Sequence, residues 1–250
     1  MKNSAGGTAI RIMVMQTMKS NVRVKLLAFT PLPESVVAAA ARLCYSASSA
    51  EDLIVMLHDD KEQRDKFIKN LARSGHLSPF EHVSFTFAVD GISRACSHQL
   101  VRHRIASYSQ QSQRYVSMID ANYIVPDSIM ENEKALTLFK DMMRQSHEAY
   151  KSLAEWGIPL EDARYVLPNA WETKIVVTMN ARELHHFFSL RLCKRAQWEI
   201  RRLAKLMLIE VRKVAGGIFD VAGPACVTKG KCEEAKPCDK PYSSMEELLS

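Results

Sequence analysis

The stretch Arg102-His103-Arg104-Ile105-Ala106-Ser107-Tyr108-Ser109-Gln110-Gln111-Ser112-Gln113-Arg114-Tyr115 holds three arginines, one histidine, three serines, three glutamines, two tyrosines and no acid. Arginine forks bind phosphate through paired hydrogen bonds, and serine and glutamine offer donors and acceptors suited to a base or ribose. Three consecutive residues, Arg102-His103-Arg104, cannot all face one way on a helix or strand, so they reach more than one ligand or subunit. The same composition fits a solvated basic loop, or a patch on which Arg and Tyr stack against RNA bases. A net charge of +6 and a pI near 9.0 suit an anionic partner without choosing among nucleotide, phosphorylated cofactor and nucleic acid.

Regular elements must position that stretch. Val22, Val24 and Leu26 alternate with Arg23 and Lys25 and predict a strand. Val83, Phe85, Phe87 and Val89 predict a second, half-buried strand ended by Asp90-Gly91, and the β-rich run Trp171 to Met179 a third. Helices are predicted from Pro33 to Cys44, from Ala50 to Leu57, from Asp60 to Arg73, from a Ser93 cap to Val101, and from Met130 to Trp156. Two more run from an Asn180 cap to Leu192, with Glu183 at the capping-box position, and from Ala196 to Val214. The polar stretch 102–114 reads as a loop. No G-x-G-x-x-G follows a strand, so there is no Rossmann fingerprint. The expected fold is α/β of the α+β kind, a small central and mostly antiparallel sheet flanked by helices. Residues 1–20 read as an N-terminal extension, 21–222 as one domain and 223–250 as a cysteine-containing tail.

Arg-His-Arg, seven residues, then Ser is the signature of the flavin-dependent thymidylate synthases, and Arg102 to Ser112 fits it without a gap. Four further blocks stand in that family's order: Gly75-His76-Leu77-Ser78-Pro79-Phe80-Glu81-His82, Asp162-Ala163-Arg164-Tyr165-Val166-Leu167-Pro168, Asn180-Ala181-Arg182-Glu183-Leu184, and Leu190-Arg191 with Ala196-Gln197-Trp198-Glu199-Ile200. The chain therefore resembles that family from about Val22 to Gly217. The resemblance implies methylation of dUMP at C5, with methylenetetrahydrofolate as one-carbon donor and an FAD reduced by NADPH. It implies FAD contacts at Ser78, Arg102, His103, Arg104, Gln110, Asn180, Arg182 and His186. It implies dUMP contacts at Gln99, Arg102, Gln110, Ser112, Arg114, Arg164 and Arg191, with Arg114 at the phosphate and Arg191 as the catalytic cation. It also implies a homotetramer in the cytoplasm, with active sites at subunit interfaces. Gln110 and Ser109 depart from the Glu and Asn often found there, which leaves Gln110 the least certain of these residues.

Two other solutions to the chemistry lack support in the residues. Cysteine attack on uracil C6 needs a Pro-Cys-His nucleophile, whereas Pro237-Cys238 is followed by Asp239. Ser112 as nucleophile needs an adjacent base, and the local histidine, His103, is nine positions away, so Ser112 reads as a dUMP donor. The alternative from another class is a basic RNA-binding protein, which would not explain five motif blocks in order. On the helix after Asn180, Arg182 and His186 share a face, while Arg191 falls about half a turn out of phase at roughly 100° per residue, suggesting a site shared between subunits. Cys44, Cys96 and Cys193 read as buried reduced thiols. Cys226, Cys232 and Cys238 recur without the paired C-x-x-C spacing of a zinc site, so no metal is expected. No apolar run reaches membrane-spanning length and residues 1–20 lack a secretory h-region, so neither a membrane nor a nucleic acid is expected as partner.

Overall fold

A computed structural model describes residues 17–19 and 22–250; most of the predicted extension, 1–20, lies outside the described residues. The strands are β1 (Thr17–Lys19), β2 (Arg23–Phe29), β3 (Ser84–Ser93), β4 (Ala106–Gln110), β5 (Tyr123–Val125) and β6 (Glu172–Asn180). The helices are α1 (Pro33–Leu43), α2 (Ala50–Asp59), α3 (Lys61–Arg73), α4 (Arg94–Leu100), α5 (Asp127–Met130), α6 (Glu133–Glu155), α7 (Leu160–Ala163), α8 (Ala181–Arg191), α9 (Trp198–Val214), α10 (Gly216–Phe219), α11 (Ala225–Thr228) and α12 (Met245–Leu249), with a 3-10 turn at Ser78–His82. Among the described residues no helix is long and apolar enough to cross a membrane.

The chain divides into two compact units. The larger, 20–111 with 173–250, is built on a four-stranded antiparallel sheet ordered β2-β3-β6-β4, which bears out the expected α+β class. Phe85, Phe87 and Val89 of β3 are buried while Ser84, Thr86 and Ala88 are half-buried, as a period of two requires. Ile200, Leu203, Ala204, Met207, Leu208 and Val211 form the buried stripe of α9 at helical spacing and join the same core. The tail is packed against this unit: Leu248 of α12 is 3% exposed. In the smaller unit β1 pairs with β5 in parallel, and Tyr123, Met143, Tyr150 and Trp171 form its core against α6.

Three expectations change. β3 does not stop at Asp90-Gly91: Gly91, with φ of 74°, turns the backbone and the strand continues to Ser93. Part of the polar stretch is not a loop but the edge strand β4, paired in register from Ala106 opposite Met179 to Gln110 opposite Ile175. An edge strand exposes every second side chain, so Ser107 and Ser109 face outward while Ala106, Tyr108 and Gln110 turn partly inward. Of the three cysteines expected to be buried only Cys96 is; Cys44 is exposed and Cys193 half-buried.

Candidate active site

The turn between α4 and β4 carries Arg102, His103 and Arg104, and it is fixed at both ends. Upstream, the Ser93 hydroxyl caps α4 by accepting the Cys96 N–H at 3.0 Å and donates to Glu199 at 2.6 Å. The Ser93 N–H donates to the other Glu199 oxygen at 2.7 Å. Burial raises the Glu199 pKa, and the two bonds from Ser93 pull it back. Downstream, the Tyr108 hydroxyl donates to the His103 carbonyl at 2.7 Å, with the Leu100 carbonyl within 2.9 Å. Burial pushes the Tyr108 pKa up, so the phenol remains a donor. Held this way, the turn points His103 inward, 5% exposed, and leaves Arg102 and Arg104 exposed on either side.

His103 is the centre of a three-residue chain. Its Nδ1 lies 2.9 Å from Glu183 Oε1, and both side chains are buried. Its Nε2 accepts a hydrogen bond from Arg191 Nε at 3.0 Å. Arginine has donors only, so Nε2 must carry the lone pair and the ring proton must sit on Nδ1, donated to Glu183. Burial is the main cause that lowers the His103 pKa; the Glu183 hydrogen bond raises it, and the Arg191 charge lowers it again. His103 is thus held neutral in one tautomer. With Nε committed, Arg191 has its two Nη groups left for a ligand.

Asn180 ends β6 and caps α8, its side chain accepting the Glu183 N–H at 2.8 Å. The predicted capping box is only half made, because the Glu183 carboxylate turns to His103 instead. Arg182, exposed on the first turn of α8, pairs with Glu81. Three residues on, His185 sits edge-on to Phe80 and stacked with Phe219, facing the Ile218 carbonyl at 3.1 Å; burial pushes its pKa down to about 4.

These side chains line a cleft of about 1150 Å³ in the larger unit. It brings together seven of the predicted residues: Arg102, His103, Arg104, Asn180, Arg182, His186 and Arg191. Here the phase argument about α8 is corrected: Arg191 is the last residue of the helix, and its side chain returns to His103 in the same cleft as Arg182 and His186. Arg73 and Lys229 add cations to the lining that the sequence reading did not single out. Glu183, read from sequence only as a cap, was missed as well. Its signal would have been an acid one turn into a helix that also carries Arg182, His186 and Arg191.

Ser78 and Gln99 belong to the same unit but do not line the cleft, although Leu77 and Glu81 beside Ser78 do. Gln110 is not in the lining either; its amide donates to Ser97 Oγ at 2.9 Å and Thr173 Oγ1 at 3.1 Å, stitching β4 to α4 and β6. Ser112, Arg114 and Arg164 belong to the smaller unit. There Arg114 pairs with the Glu161 carboxylate at 2.5 Å and Arg164 Nε donates to the Glu161 carbonyl at 3.0 Å, so one residue holds both guanidinium groups. Ser112 Oγ accepts the Arg114 N–H at 3.2 Å.

The family model described as thymidylate synthase complementing protein matches residues 25–215. The chain belongs to the flavin-dependent thymidylate synthase family. It is 50% identical over 236 residues to the flavin-dependent thymidylate synthase of Clostridium tetani, covering 88% of this chain and 94% of that protein. It is 53% identical over 215 residues to the flavin-dependent thymidylate synthase of Geobacter sulfurreducens, covering 85% and 91%. Among solved structures it resembles the UMP/dUMP methylase PolB of Streptomyces cacaoi bound with 5-Br dUMP, with a TM-score of 0.72 and 27% identity over 82% of this chain and 96% of that one. The flavin-dependent thymidylate synthase signature is thus the turn that carries the buried histidine and its two flanking arginines.

Proposed function

We propose that this chain catalyses the FAD-dependent reductive methylation of dUMP at C5 to give dTMP, with methylenetetrahydrofolate as one-carbon donor and NADPH as reductant. The observation that carries the reading is the Glu183–His103–Arg191 chain, which sits on the family signature inside an arginine-lined cleft. The 5-Br dUMP held by the similar methylase supports a deoxyuridine nucleotide as substrate.

The residues present fit a flavin dinucleotide. The cleft, at about 1150 Å³, slightly exceeds the roughly 300–1,000 Å³ usual for ligand sites, as suits a ligand of that length. Arg102, Arg104 and Arg182 offer planar forks to a pyrophosphate, Asn180 and His186 offer hydrogen bonds, and His103, with both ring nitrogens engaged, would offer only the face or edge of its ring. Ser78 and Gln110 complete the proposed set. When bound, the flavin supplies the hydride that completes the new methyl group.

The protein's own task is to make uracil C5 nucleophilic. Arg191 would present its Nη groups to N3 and O4, placing a fixed cation where the ring gains negative charge. His103 keeps that guanidinium in place and, being neutral, adds no competing charge. The one buried thiol among the described residues, Cys96, has its pKa raised by burial and then by Glu199, which disfavours a thiolate. Ser112, Arg114 and Arg164, with Gln99 and Arg102, would hold the nucleotide, its phosphate at Arg114. The assembly we propose is a cytoplasmic homotetramer with active sites at subunit interfaces.

The test is to supply the purified chain with FAD, record the visible spectrum, and add dUMP and NADPH without oxygen. Bleaching of a flavin spectrum, followed by dTMP once methylenetetrahydrofolate is added, is the expected outcome. A chain that binds no FAD, or forms no dTMP from the reduced complex, overturns the reading.

A further inference from the structure

The tail brings together what the sequence keeps apart. Cys226, Cys232 and Cys238 are joined by Cys193, just beyond the end of α8, around one cavity of about 190 Å³ that Glu233, Glu234, Lys194 and Tyr242 also line. Four of the chain's six cysteines therefore line one cavity from two stretches, the turn after α8 and the tail, and all four are half-buried. The Cys226 and Cys238 thiols and the Glu234 carboxylate act as electrostatic neighbours of Cys193. The tail is pinned to the turn after α8: Arg195 donates to the Lys236 carbonyl at 2.5 Å and pairs with Glu234 at 3.5 Å. Lys194 pairs with Glu247 at 3.2 Å and lies 4.3 Å from the centre of the Tyr242 ring.

We propose that Cys193, Cys226, Cys232 and Cys238 form a tetrathiolate site for a soft divalent cation of the zinc class. The three tail cysteines alone lack the fourth donor of a closed structural site; Cys193 supplies it. Sulfur-only donors select zinc over magnesium or calcium. Among the described residues no three Cys, His, Asp or Glu side chains are already gathered on one point, so the thiols ring a cavity and binding draws them inward. The balance is one cation bound and four thiol protons released, with no change in oxidation state. The site would carry a net negative charge, with Glu233 and Glu234 also on the cavity wall and Lys194, itself paired with Glu247, as the cation in the lining. With four protein ligands the cation has no open position, so its role is structural. Ser189 and Leu190 line this cavity and the large cleft alike, and Thr228 and Lys229 follow Cys226 directly into the cleft wall. The cation would thus tie down one wall of the active site.

The experiment uses the untagged full chain, purified anaerobically and supplied with zinc, followed by metal analysis. One zinc per chain is expected, retained in Cys44→Ser and lost in each of the Ser variants at 193, 226, 232 and 238. Cobalt in its place should give the intense sulfur-to-metal charge-transfer absorption of tetrahedral thiolate ligation. The wild-type cobalt spectrum and metal-dependent protection of four thiols from alkylation decide the matter even where a variant fails to fold. A chain that takes up no metal, a Cys193→Ser variant that keeps it, or a disulfide among the four in the anaerobic protein overturns the proposal.

Discussion

Replacing Glu183 tests whether the buried chain behind Arg191 is machinery or scaffolding. In Glu183→Gln the amide oxygen still accepts the His103 Nδ1–H, but the bond loses its charge. Hydrogen bonds to charged groups contribute about 1.5–3 kcal/mol and neutral ones about 0.5–1.5, so the loss is on the order of 1–1.5 kcal/mol. That corresponds to a fall of roughly 5- to 10-fold in kcat/KM for dUMP, since each 1.36 kcal/mol is tenfold. Glu183→Ala goes further, leaving a buried N–H unpaired and the ring free to move its proton to Nε2. There it would meet Arg191 Nε donor against donor, and about a 100-fold loss follows, carried mostly by kcat because Arg191 acts on charge that develops in the transition state. The pH profile adds a sign. Protonated His103 repels Arg191, so activity falls as pH drops through the His103 pKa. Glu183 raises that pKa, so in Glu183→Gln the acid limb moves to lower pH. Steady-state dTMP formation across pH, alongside thermal melts, measures all of this. An alanine variant with unchanged kcat/KM and only a lowered Tm, or an acid limb that stays put, refutes the reasoning.

Arg191→Lys keeps a charge but loses both the Nε bond to His103 and the flat pair of Nη groups; kcat should fall about 100-fold, with FAD affinity, read by flavin fluorescence, within about twofold of wild type. Arg104→Ala removes an exposed fork from the cleft and should weaken FAD binding about 10- to 100-fold in a fluorescence titration, with no change in Tm beyond about 0.5 kcal/mol equivalent. His185, with its pKa pushed down to about 4 against about 6.5 unfolded, refuses a proton the unfolded chain accepts. Its stability contribution is complete above about pH 6.5 and is lost as pH falls toward about 4, at most on the order of 3–3.5 kcal/mol. In His185→Gln, denaturant melts over that window should flatten.

The half of the architecture set by local chemistry was readable in advance. Ser93 and Asn180 cap the helices they were expected to cap, and the Phe85-Phe87-Val89 alternation is a strand because only one face meets the core. β4 was missed because an edge strand of Ser, Tyr and Gln satisfies its backbone through β6 and carries almost no hydrophobic signal. The bond from Arg191 to His103 was missed for another reason. Helical phase says where a side chain leaves the axis, and a long arginine at the final turn travels far enough to undo a half-turn offset. Cys193 looked like any thiol in an apolar helix; only the return of the tail shows what surrounds it. The division into two units left no mark in composition, because residues 112–172 contain strands and helices of the same kinds as the rest.

The grip of Tyr108 on the turn has a wider consequence. The phenol's hydrogen bonds run to main-chain carbonyls, of Leu100 and His103, rather than to the side chains of the arginines it positions. The course of the backbone there is therefore indifferent to what stands at 102 and 104. Such a turn behaves as a mount with interchangeable fittings: those two positions can drift or be re-engineered toward a different ligand while the frame that presents them keeps its shape. His103, committed to partners on both ring nitrogens, has no such latitude.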